Sequence, residues 1–267
     1  MPVCLTMRLP HNSFLRSLRA GKHQIGLWHG LFHPYVTELL AGTGFDWICL
    51  DGEHSPSDHH NLLAQLQAMA AYPVAPVVRT VSDDVSLIKQ YLDMGAQTLL
   101  VPMVESAGQA ARIVAATRYP TRGTRGVGSA LARASRWNQV SEYLQRCEQE
   151  LCVLVQVESA SGMDNLASIA GTEGIDGVFF GPSDLAASMG LLGQSGDTRV
   201  QHAIRGGIAT VRALGKAAGV LTVDLELARR YSDSGATFIA VGLDTGLLVQ
   251  SATDLAKRAK NVFPSSS

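Results

Sequence analysis

Residues 232–242 read SDSGATFIAVG, in which the end of a helix, a glycine and a short apolar strand follow one another directly. The same succession occurs as LLAGTGFDWI at 39–48, LDMGAQTLL at 92–100 and IAGTEGIDGVFF at 169–180. Glycine just beyond the last helical turn is a common way to end a helix. The repeat therefore predicts a chain in which helices and strands alternate.

Short apolar runs rich in Val, Ile and Leu recur along the whole chain. The predicted strands are 25–28, 47–50, 75–78, 98–101, 152–157, 177–180, 218–222 and 238–241. Runs that are apolar without alternation are typical of strands covered on both faces, so the sheet is predicted to be parallel.

Helix-length segments separate these runs. The predicted helices are 57–71, 83–94, 106–117, 140–150, 164–170, 200–214, 225–234 and 246–259, with Gly95 as a helix terminator. Eight strand–helix repeats in about 250 residues favour a closed (β/α)8 TIM barrel. An open doubly wound sheet is the alternative, but it would need a glycine-rich phosphate turn where this chain has His29-Gly30-Leu31-Phe32. We predict one barrel domain over 1–267, with flexible ends at 1–12 and 262–267, and leave open whether translation starts at Met1 or Met7.

Charge and composition narrow the functional classes. The 22 basic and 23 acidic residues give a formal charge of −1, which provides no basic surface for nucleic acid or an anionic membrane. The four cysteines, Cys4, Cys49, Cys147 and Cys152, form no CxxC pair. With no signal-peptide pattern and no apolar run of membrane-spanning length, we expect a cytoplasmic protein.

Polar and ionisable residues follow several predicted strands where the strands end. The second strand leads into Asp51-Gly52-Glu53-His54, the third into Arg79, the fifth into Gln156-Val157-Glu158 and the sixth into Gly181-Pro182-Ser183-Asp184. In a barrel the active site lies at the carboxyl ends of the strands. These residues are therefore expected to converge on one pocket.

Glu158 and Asp184 end adjacent predicted strands. Two carboxylates that face one cavity repel each other unless a cation lies between them, and carboxylate oxygens with water suit Mg²⁺ or Mn²⁺. The alternative is that they pair with arginines or cap helices, with Asp184 as an N-cap.

Arg79 and His54 are candidates for the chemistry itself. A guanidinium at the end of an apolar strand suits a substrate carboxylate or an enolate oxygen, although a structural salt bridge to Asp51 or Glu53 would also explain it. His54 could act as a base near neutral pH if Asp51 orients it. His29 and His33 follow the first strand and could line the same rim, whereas His59 and His60 are expected at the surface.

The lysines exclude one route to a carbanion. None of the five lysines ends a predicted strand: Lys22, Lys89, Lys216, Lys257 and Lys260. A Schiff-base aldolase needs a desolvated lysine at that rim. Stabilisation of a carbanion would therefore fall to a metal acting as a Lewis acid.

Several phrases of the sequence resemble the metal-dependent (class II) pyruvate aldolases of the 4-hydroxy-2-oxoheptanedioate aldolase family. The phrases are GFDWICLDGEHSP, APVVRT, IKQYLDMGAQTLLVPMV, TRYPTRGTRGVGSALARASRWN, VLVQVES, GIDGVFFGPSDLAASMG and ATFIAVGLDT. The resemblance extends from about residue 13 to residue 259, nearly the whole chain.

The resemblance implies an assembly and a set of roles. It implies a hexamer built as a trimer of dimers, with an exchanged C-terminal helix, and a divalent cation (Mg²⁺, Mn²⁺ or Co²⁺) on Glu158 and Asp184. Gln156 and Ser183 would contact the pyruvyl unit, with Gly181, Pro182 and Asp184 shaping that side of the substrate site. Arg79 would stabilise the pyruvate enolate, and His54 would be the base that Asp51 tunes. Asp93 would polarise His54 from a neighbouring subunit, and this role rests on resemblance alone.

The expected substrate is 4-hydroxy-2-oxoheptane-1,7-dioate, which would be cleaved to pyruvate and succinic semialdehyde. Arg133 and Ser129 could meet a distal carboxylate or could merely brace their loop, and Leu221 is expected beside the aldehyde. The phrase LTVDLEL around Asp224 departs from the family pattern after the seventh strand, and this departure concerns the choice of aldehyde. A 2-keto-3-deoxy sugar-acid aldolase of the glucarate or rhamnonate type is therefore the alternative.

Two further classes are kept as rivals. A citryl- or malyl-CoA lyase would need a basic surface for coenzyme A, and the arginines between 112 and 136 are dispersed. A catalytically silent scaffold would tolerate loss of the rim residues, and all of them are present in the sequence.

Overall fold

A computed structural model describes residues 7–263. Cys4, the Met1 start and most of the two ends predicted to be flexible lie outside the described residues. Within the segment 7–12, Asn12 is buried and its amide nitrogen donates to Thr98 Oγ1 at 2.9 Å and to the Glu150 carbonyl at 3.1 Å.

Within residues 7–263, eight parallel strands pair in chain order and close into one barrel. They are β1 (Gln24–His29), β2 (Trp47–Asp51), β3 (Ala75–Arg79), β4 (Thr98–Val101), β5 (Cys152–Val157), β6 (Gly177–Phe180), β7 (Ala217–Leu221) and β8 (Phe238–Leu243). The barrel closes where β1 pairs with β8. The predicted TIM barrel is therefore confirmed, and the bounds of each predicted strand lie within two residues of the observed bounds.

Helices surround this barrel. Those of the described residues are α1 (Ser13–Arg19), α2 (Pro34–Ala41), α3 (His59–Met69), α4 (Val85–Met94), α5 (Ala107–Thr117), α6 (Tyr143–Arg146), α7 (Ala160–Asp164), α8 (Leu166–Ala170), α9 (Pro182–Ser188), α10 (Thr198–Ala213), α11 (Leu225–Asp233) and α12 (Asp244–Val262), with 3₁₀ turns at Arg133–Ser135 and Cys147–Glu150. Gly95 ends α4 with a φ of 103°, as predicted. None of these helices combines the length and the apolar composition that crossing a bilayer requires.

Some helix predictions were wrong in detail. The single helix predicted at 140–150 is the short α6 followed by a 3₁₀ turn. The helix predicted at 164–170 is preceded by a separate helix, α7, and the two are joined at Asn165. Four helices had no predicted range: α1, α2, α7 and α9. Of these, α2 and α9 each begin with a proline, whose fixed φ suits the first helical turn.

Two layers of apolar side chains hold the barrel together. Every second side chain along the strands points into the interior, where Phe179 and Phe238 have ring centroids 5.8 Å apart. Helix α1 covers the N-terminal end of this interior with Phe14, which packs edge-on against Trp47 and Phe238. The other strand face packs against the surrounding helices. Since both faces of each strand are packed in this way, the residues that end the strands start from well-defined backbone positions.

Candidate functional site

The alternation of side chains along the strands brings the predicted residues to one rim. Trp47 and Cys49 point into the barrel, so Asp51, two residues further on, has the same parity. Val77 also points into the barrel, and Arg79 is two residues after it. Leu154 points into the barrel as well, and Gln156 and Glu158 follow it at intervals of two. All of these charged and polar residues are buried. They lie at the carboxyl ends of their strands, where barrel enzymes hold their active sites.

Arg79 and Asp51 form a buried, two-pronged ion pair. Arg79 donates from Nε to Asp51 Oδ1 at 2.9 Å and from Nη2 to Asp51 Oδ2 at 2.7 Å. Trp28 lies beside this pair, with its ring 4.8 Å from the guanidinium carbon and its Nε1 donating to Asp51 Oδ2 at 3.1 Å. Burial alone would raise the pKa of Asp51, but the hydrogen bonds and charge of Arg79 outweigh it and lower that pKa. Asp51 is therefore held as a carboxylate.

Glu53 is a rim residue for which only a salt bridge to Arg79 was predicted. Its Oε2 lies 2.7 Å from Arg79 Nη1, and its Oε1 lies 3.9 Å from His54 Nε2. Burial raises the pKa of Glu53, while the Arg79 charge works against that rise. Glu53 therefore lies between the guanidinium and the imidazole, and it contacts only the guanidinium closely. The salt bridges that the sequence offered as an explanation of Arg79 are both present.

The side chain of His54 is two-thirds exposed, at 66%. Asp51 Oδ1 accepts from the backbone amide of His54 at 3.3 Å. Asp51 therefore positions the loop that carries His54 and makes no hydrogen bond to the imidazole within the described residues. The ring is left open to a partner from outside this part of the chain.

Glu158 lies in a pocket that fits its carboxylate closely. Its Oε1 accepts from the backbone amide of Met103 at 2.9 Å, and its Oε2 accepts from Gln156 Nε2. Met103 has a φ of 55°, a backbone conformation that non-glycine residues seldom adopt, and this conformation directs its amide to the carboxylate. A Cβ at Gly181 would overlap Glu158 Oε2, so only glycine leaves room for the carboxylate there.

Asp184 belongs to the first turn of α9 and is exposed, as is Ser183. The helix is capped at Gly181 and begins at Pro182, so the alternative that Asp184 is its N-cap was wrong. Burial raises the pKa of Glu158, and the negative charges of Asp184 and Glu53 raise it further. The two predicted ligands are therefore close enough to repel each other.

This donor set fits a divalent cation that is shared with substrate and water. Among residues 7–263 no three His, Cys, Asp or Glu side chains cluster as a complete metal site. The buried amide oxygen Gln156 Oε1 has no hydrogen-bond partner within the same residues. Together with the two carboxylates it leaves several coordination positions for other oxygen ligands. Mg²⁺ and Mn²⁺ prefer such oxygen-rich, partly hydrated sites.

Asp93 and Leu221 lie in different surroundings. Leu221 is the last residue of β7, and its side chain packs against the apolar core inside the barrel. Asp93 lies near the end of α4, where its Oδ1 accepts from Arg125 Nη2 at 2.7 Å. Within residues 7–263, Asp93 makes no hydrogen bond or ion pair with His54 of the same chain.

The three residues considered for specificity have structural contacts. Arg133 donates to the carbonyls of Met94 at 2.9 Å and Leu66 at 3.4 Å, which braces its loop against α4 and α3. The Ser129 carbonyl accepts from Ser135 Oγ at 2.5 Å. Asp224 caps α11 by accepting from the amides of Glu226 and Leu227.

His29 and His33 are held by structural contacts. His29 is fully buried, with Nδ1 2.5 Å from Asp244 Oδ2 and Nε2 2.8 Å from Thr37 Oγ1. His33 caps α2 through its ring nitrogen, which accepts from the amide of Tyr35. Their contacts explain both residues without a catalytic role.

The fold and this rim together define a (β/α)8-barrel enzyme with two carboxylates, a fixed arginine and an accessible histidine at the strand ends. The profile of the HpcH/HpaI aldolase/citrate lyase family matches residues 24–251. The chain belongs to this family and is an aldolase, which confirms the resemblance stated from the sequence.

Individual relatives agree with this assignment. The chain is 62% identical over 254 residues to the hydroxypyruvate/pyruvate aldolase of Paraburkholderia phytofirmans, covering 95% of each chain. It is 55% identical over 247 residues to the 4-hydroxy-2-oxo-heptane-1,7-dioate aldolase of Salmonella dublin, covering 92% of this chain and 94% of that protein. A crystal structure of an HpcH/HpaI aldolase/citrate lyase family protein from Burkholderia cenocepacia superposes with a TM-score of 0.90 at 37% identity, covering 93% of this chain and 99% of that one.

Proposed function

We propose that this chain is a divalent-metal-dependent aldolase that cleaves 4-hydroxy-2-oxo acids to pyruvate and an aldehyde. The favoured substrate is 4-hydroxy-2-oxoheptane-1,7-dioate, which gives succinic semialdehyde. The observation that carries the proposal is that Arg79 and Glu158 are both buried at the C-terminal rim and continue their strands in the register of the barrel interior. A substrate with a pyruvyl unit offers the oxygens that such a rim can hold.

Glu158 and Asp184 would hold the cation, which supplies a Lewis acid for the 2-oxo acid when it is bound. Gln156 would donate from its amide nitrogen to a pyruvyl oxygen, and Ser183, at the start of α9, would contact the carboxylate. Gly181 and Pro182 keep this side of the site open. Mg²⁺, Mn²⁺ and Co²⁺ are the ions we propose for the site.

His54 is proposed as the base that removes the proton from the C4 hydroxyl. As the C3–C4 bond breaks, its electron pair passes to the pyruvyl unit and forms an enolate. Arg79 donates hydrogen bonds to the developing negative charge and so stabilises the transition state more than the substrate. A proton delivered to C3 then gives pyruvate. Asp51 holds Arg79 in place for this step, and Leu221 would flank the aldehyde portion.

The active assembly is proposed to be a homohexamer, a trimer of dimers, in which α12 is exchanged between subunits. Large apolar side chains of α12 are exposed in the single chain, among them Leu247, Leu248, Val249 and Leu255. Several large apolar side chains exposed on one helix are typical of a contact with another protein. In this assembly Asp93 would reach His54 of a neighbouring subunit. We propose a cytoplasmic location, since Cys49, Cys147 and Cys152 are buried free thiols.

The test is pyruvate release from 4-hydroxy-2-oxoheptane-1,7-dioate, coupled to lactate dehydrogenase, after chelation and again with Mg²⁺ or Mn²⁺ restored. Release that depends on metal supports the proposal, and parallel turnover of 2-keto-3-deoxy-glucarate measures the sugar-acid alternative. No release from either substrate by the folded, metal-supplied protein would overturn it. The lyase and scaffold alternatives would then be reconsidered.

A second candidate donor is hydroxypyruvate. Three relatives at 56–62% identity carry the name hydroxypyruvate/pyruvate aldolase. Aldol addition of hydroxypyruvate and of pyruvate to succinic semialdehyde, run side by side, would show whether this chain uses both donors. Addition with pyruvate alone would remove the candidate.

A further inference from the structure

A fully buried guanidinium lies directly beneath Asp93. Arg125 has no exposed surface, and its Nη2 donates to Asp93 Oδ1 at 2.7 Å and to the Tyr143 hydroxyl at 3.2 Å. The ring of Tyr119 lies 4.7 Å from the guanidinium carbon, and that of Tyr143 lies 6.0 Å from it. The two aromatic faces and the one carboxylate hold the group in a single orientation.

Burying the Arg125 guanidinium costs more free energy than burying an apolar side chain of similar volume. Within residues 7–263, Nε and Nη1 of Arg125 are buried without a hydrogen-bond partner. An apolar side chain of similar volume would avoid the desolvation of the charge, and such replacements of buried ion pairs are often neutral or stabilising. Packing alone therefore does not explain an arginine at this position.

The carboxylate above it is only partly enclosed. The side chain of Asp93 is 28% exposed and lines a groove of about 470 Å³ together with His59, Gln90 and the exposed Leu131 and Trp137. Within the described residues its hydrogen bond is accepted at Oδ1, which leaves Oδ2 available to a group from outside. One oxygen of Asp93 is thus anchored while the other can accept.

We propose that Arg125 is a positioning residue, which anchors Asp93 through Oδ1 so that Oδ2 is presented to the His54 imidazole of a second copy of this chain. The inference rests on the proposed function, in which Asp93 polarises His54 across a subunit contact. His54 fits the receiving end, because its ring is exposed and lacks an acceptor closer than 3.9 Å among the described carboxylates. Arg125 is suited to the task because it stays charged at every physiological pH.

The test is a double-mutant cycle on the full-length enzyme with metal supplied, using Asp93→Asn, Arg125→Met and the double variant. The measured quantities are kcat and KM for 4-hydroxy-2-oxoheptane-1,7-dioate. Each single substitution is expected to lower kcat at least about tenfold, since it weakens the general base, with little change in KM. In the Asp93→Asn background, Arg125→Met is expected to change kcat less than about twofold, because both substitutions remove the same interaction.

Arg122→Met is the matched control. Arg122 lies on the same segment, is two-thirds exposed and pairs with Glu148 Oε1 at 2.7 Å, so its loss is expected to leave kcat unchanged. Arg125→Lys keeps a cation beside Asp93 without the planar fork and is expected to recover part of the kcat lost in Arg125→Met. Arg125→Lys also serves if Arg125→Met does not fold.

The possible results distinguish the role of Asp93 from that of Arg125. A wild-type kcat in Asp93→Asn would overturn the catalytic role of Asp93, and the role of Arg125 with it. Equal losses of kcat on replacing Arg125 in both backgrounds would overturn the positioning role and leave that of Asp93 intact. A smaller assembly for both Arg125 variants, seen by size-exclusion chromatography, would reassign Arg125 to subunit assembly and also overturn the proposal.

Discussion

Asp51 and Arg79 are register partners on neighbouring strands, and their side chains meet through two parallel hydrogen bonds of 2.9 and 2.7 Å. The pair occupies Nε and Nη2 of the guanidinium, and Glu53 lies 2.7 Å from Nη1. Arg79 therefore has its orientation fixed by two carboxylates. A guanidinium held in this way does not need to reorganise when negative charge develops beside it.

Arg79→Lys should separate catalysis from folding. Lysine keeps the charge that Asp51 requires but loses the planar fork, so we expect kcat to fall about 10²- to 10³-fold. Isothermal titration with Mn²⁺ should give an unchanged affinity, because Arg79 contacts neither Glu158 nor Asp184. Turnover near that of the wild type would contradict the role of Arg79. Arg79→Ala is a poorer test, since it leaves Asp51 buried and unpaired at a cost of about 3–5 kcal/mol.

Gly181→Ala should damage the Glu158 pocket by steric overlap alone. The backbone of Gly181 has a φ of −95°, which alanine adopts freely, but the added Cβ would overlap Glu158 Oε2 and lie 3.0 Å from Gln156 Nε2. We expect weaker Mn²⁺ binding and a loss of about 1–3 kcal/mol in the free energy of unfolding.

Gly206→Ala is the control for that substitution. Gly206 lies in α10 with open space around its Cβ direction, so alanine should stabilise the helix by about 1 kcal/mol. Chemical denaturation of both variants measures the difference. Equal Mn²⁺ affinity in Gly181→Ala and the wild type would show that the pocket tolerates the methyl group.

Glu158→Gln should abolish the stabilisation of the protein by metal. Burial raises the pKa of Glu158, which means that the folded protein disfavours the charged form near neutral pH. In the presence of a chelator we therefore expect the neutral glutamine variant to be at least as stable as the wild type. With Mn²⁺ at about 100 times its dissociation constant, only the wild type should gain about 2.7 kcal/mol. An equal gain in both proteins, seen in thermal unfolding, would place the metal elsewhere.

Asp244→Asn should make the free energy of unfolding depend less on pH under acidic conditions. Burial opposes ionisation of Asp244, but the His29 ring and the amides of Gly30 and Leu31 outweigh it and hold the pKa below 3.8. The ionised form therefore stabilises the fold above about pH 3.8, and this contribution is lost as the pH falls through the folded pKa. At neutral pH the variant should lose about 1–3 kcal/mol.

Urea denaturation from pH 3 to pH 7 checks this expectation, with Asp254→Asn on the exposed face of the same helix as the control. Asp244→Asn should show a shallower fall in the free energy of unfolding towards low pH than both the wild type and the control. Parallel curves for all three proteins would mean that another group sets this pH dependence.

Asp224→Ala should affect stability and leave substrate choice unchanged. Its carboxylate accepts from the amides of Glu226 at 2.9 Å and Leu227 at 3.2 Å, which is the geometry of a helix cap. Removing such a cap costs about 0.5–2 kcal/mol. The ratio of kcat/KM for the heptanedioate and the sugar-acid substrate should stay constant, and a shift of tenfold or more would restore Asp224 as a specificity residue.

The barrel could be predicted from the sequence because each of its strands is encoded locally. Thr98–Val101, Cys152–Val157 and Gly177–Phe180 have the bounds that their apolar runs predicted. Helices α2 and α9 had no predicted range because each is only eight or seven residues long and its capping residue is His33 or Gly181, which are weak signals in a sequence. Glu53 gave no signal beyond its place in the DGEH phrase.

The amino-acid sequence by itself determined the alternation of strands and helices, and with it the residues that end each strand. Side-chain partners across the barrel were decided by the tertiary structure alone. His29 could have lined the rim, but its pairing with Asp244, 215 residues away, buries it, and Arg133 braces two helices instead of facing substrate. The reason is physical: the apolar run and the glycine that mark a strand lie next to each other in the chain, whereas a side-chain hydrogen bond depends on distances that exist only after the barrel closes.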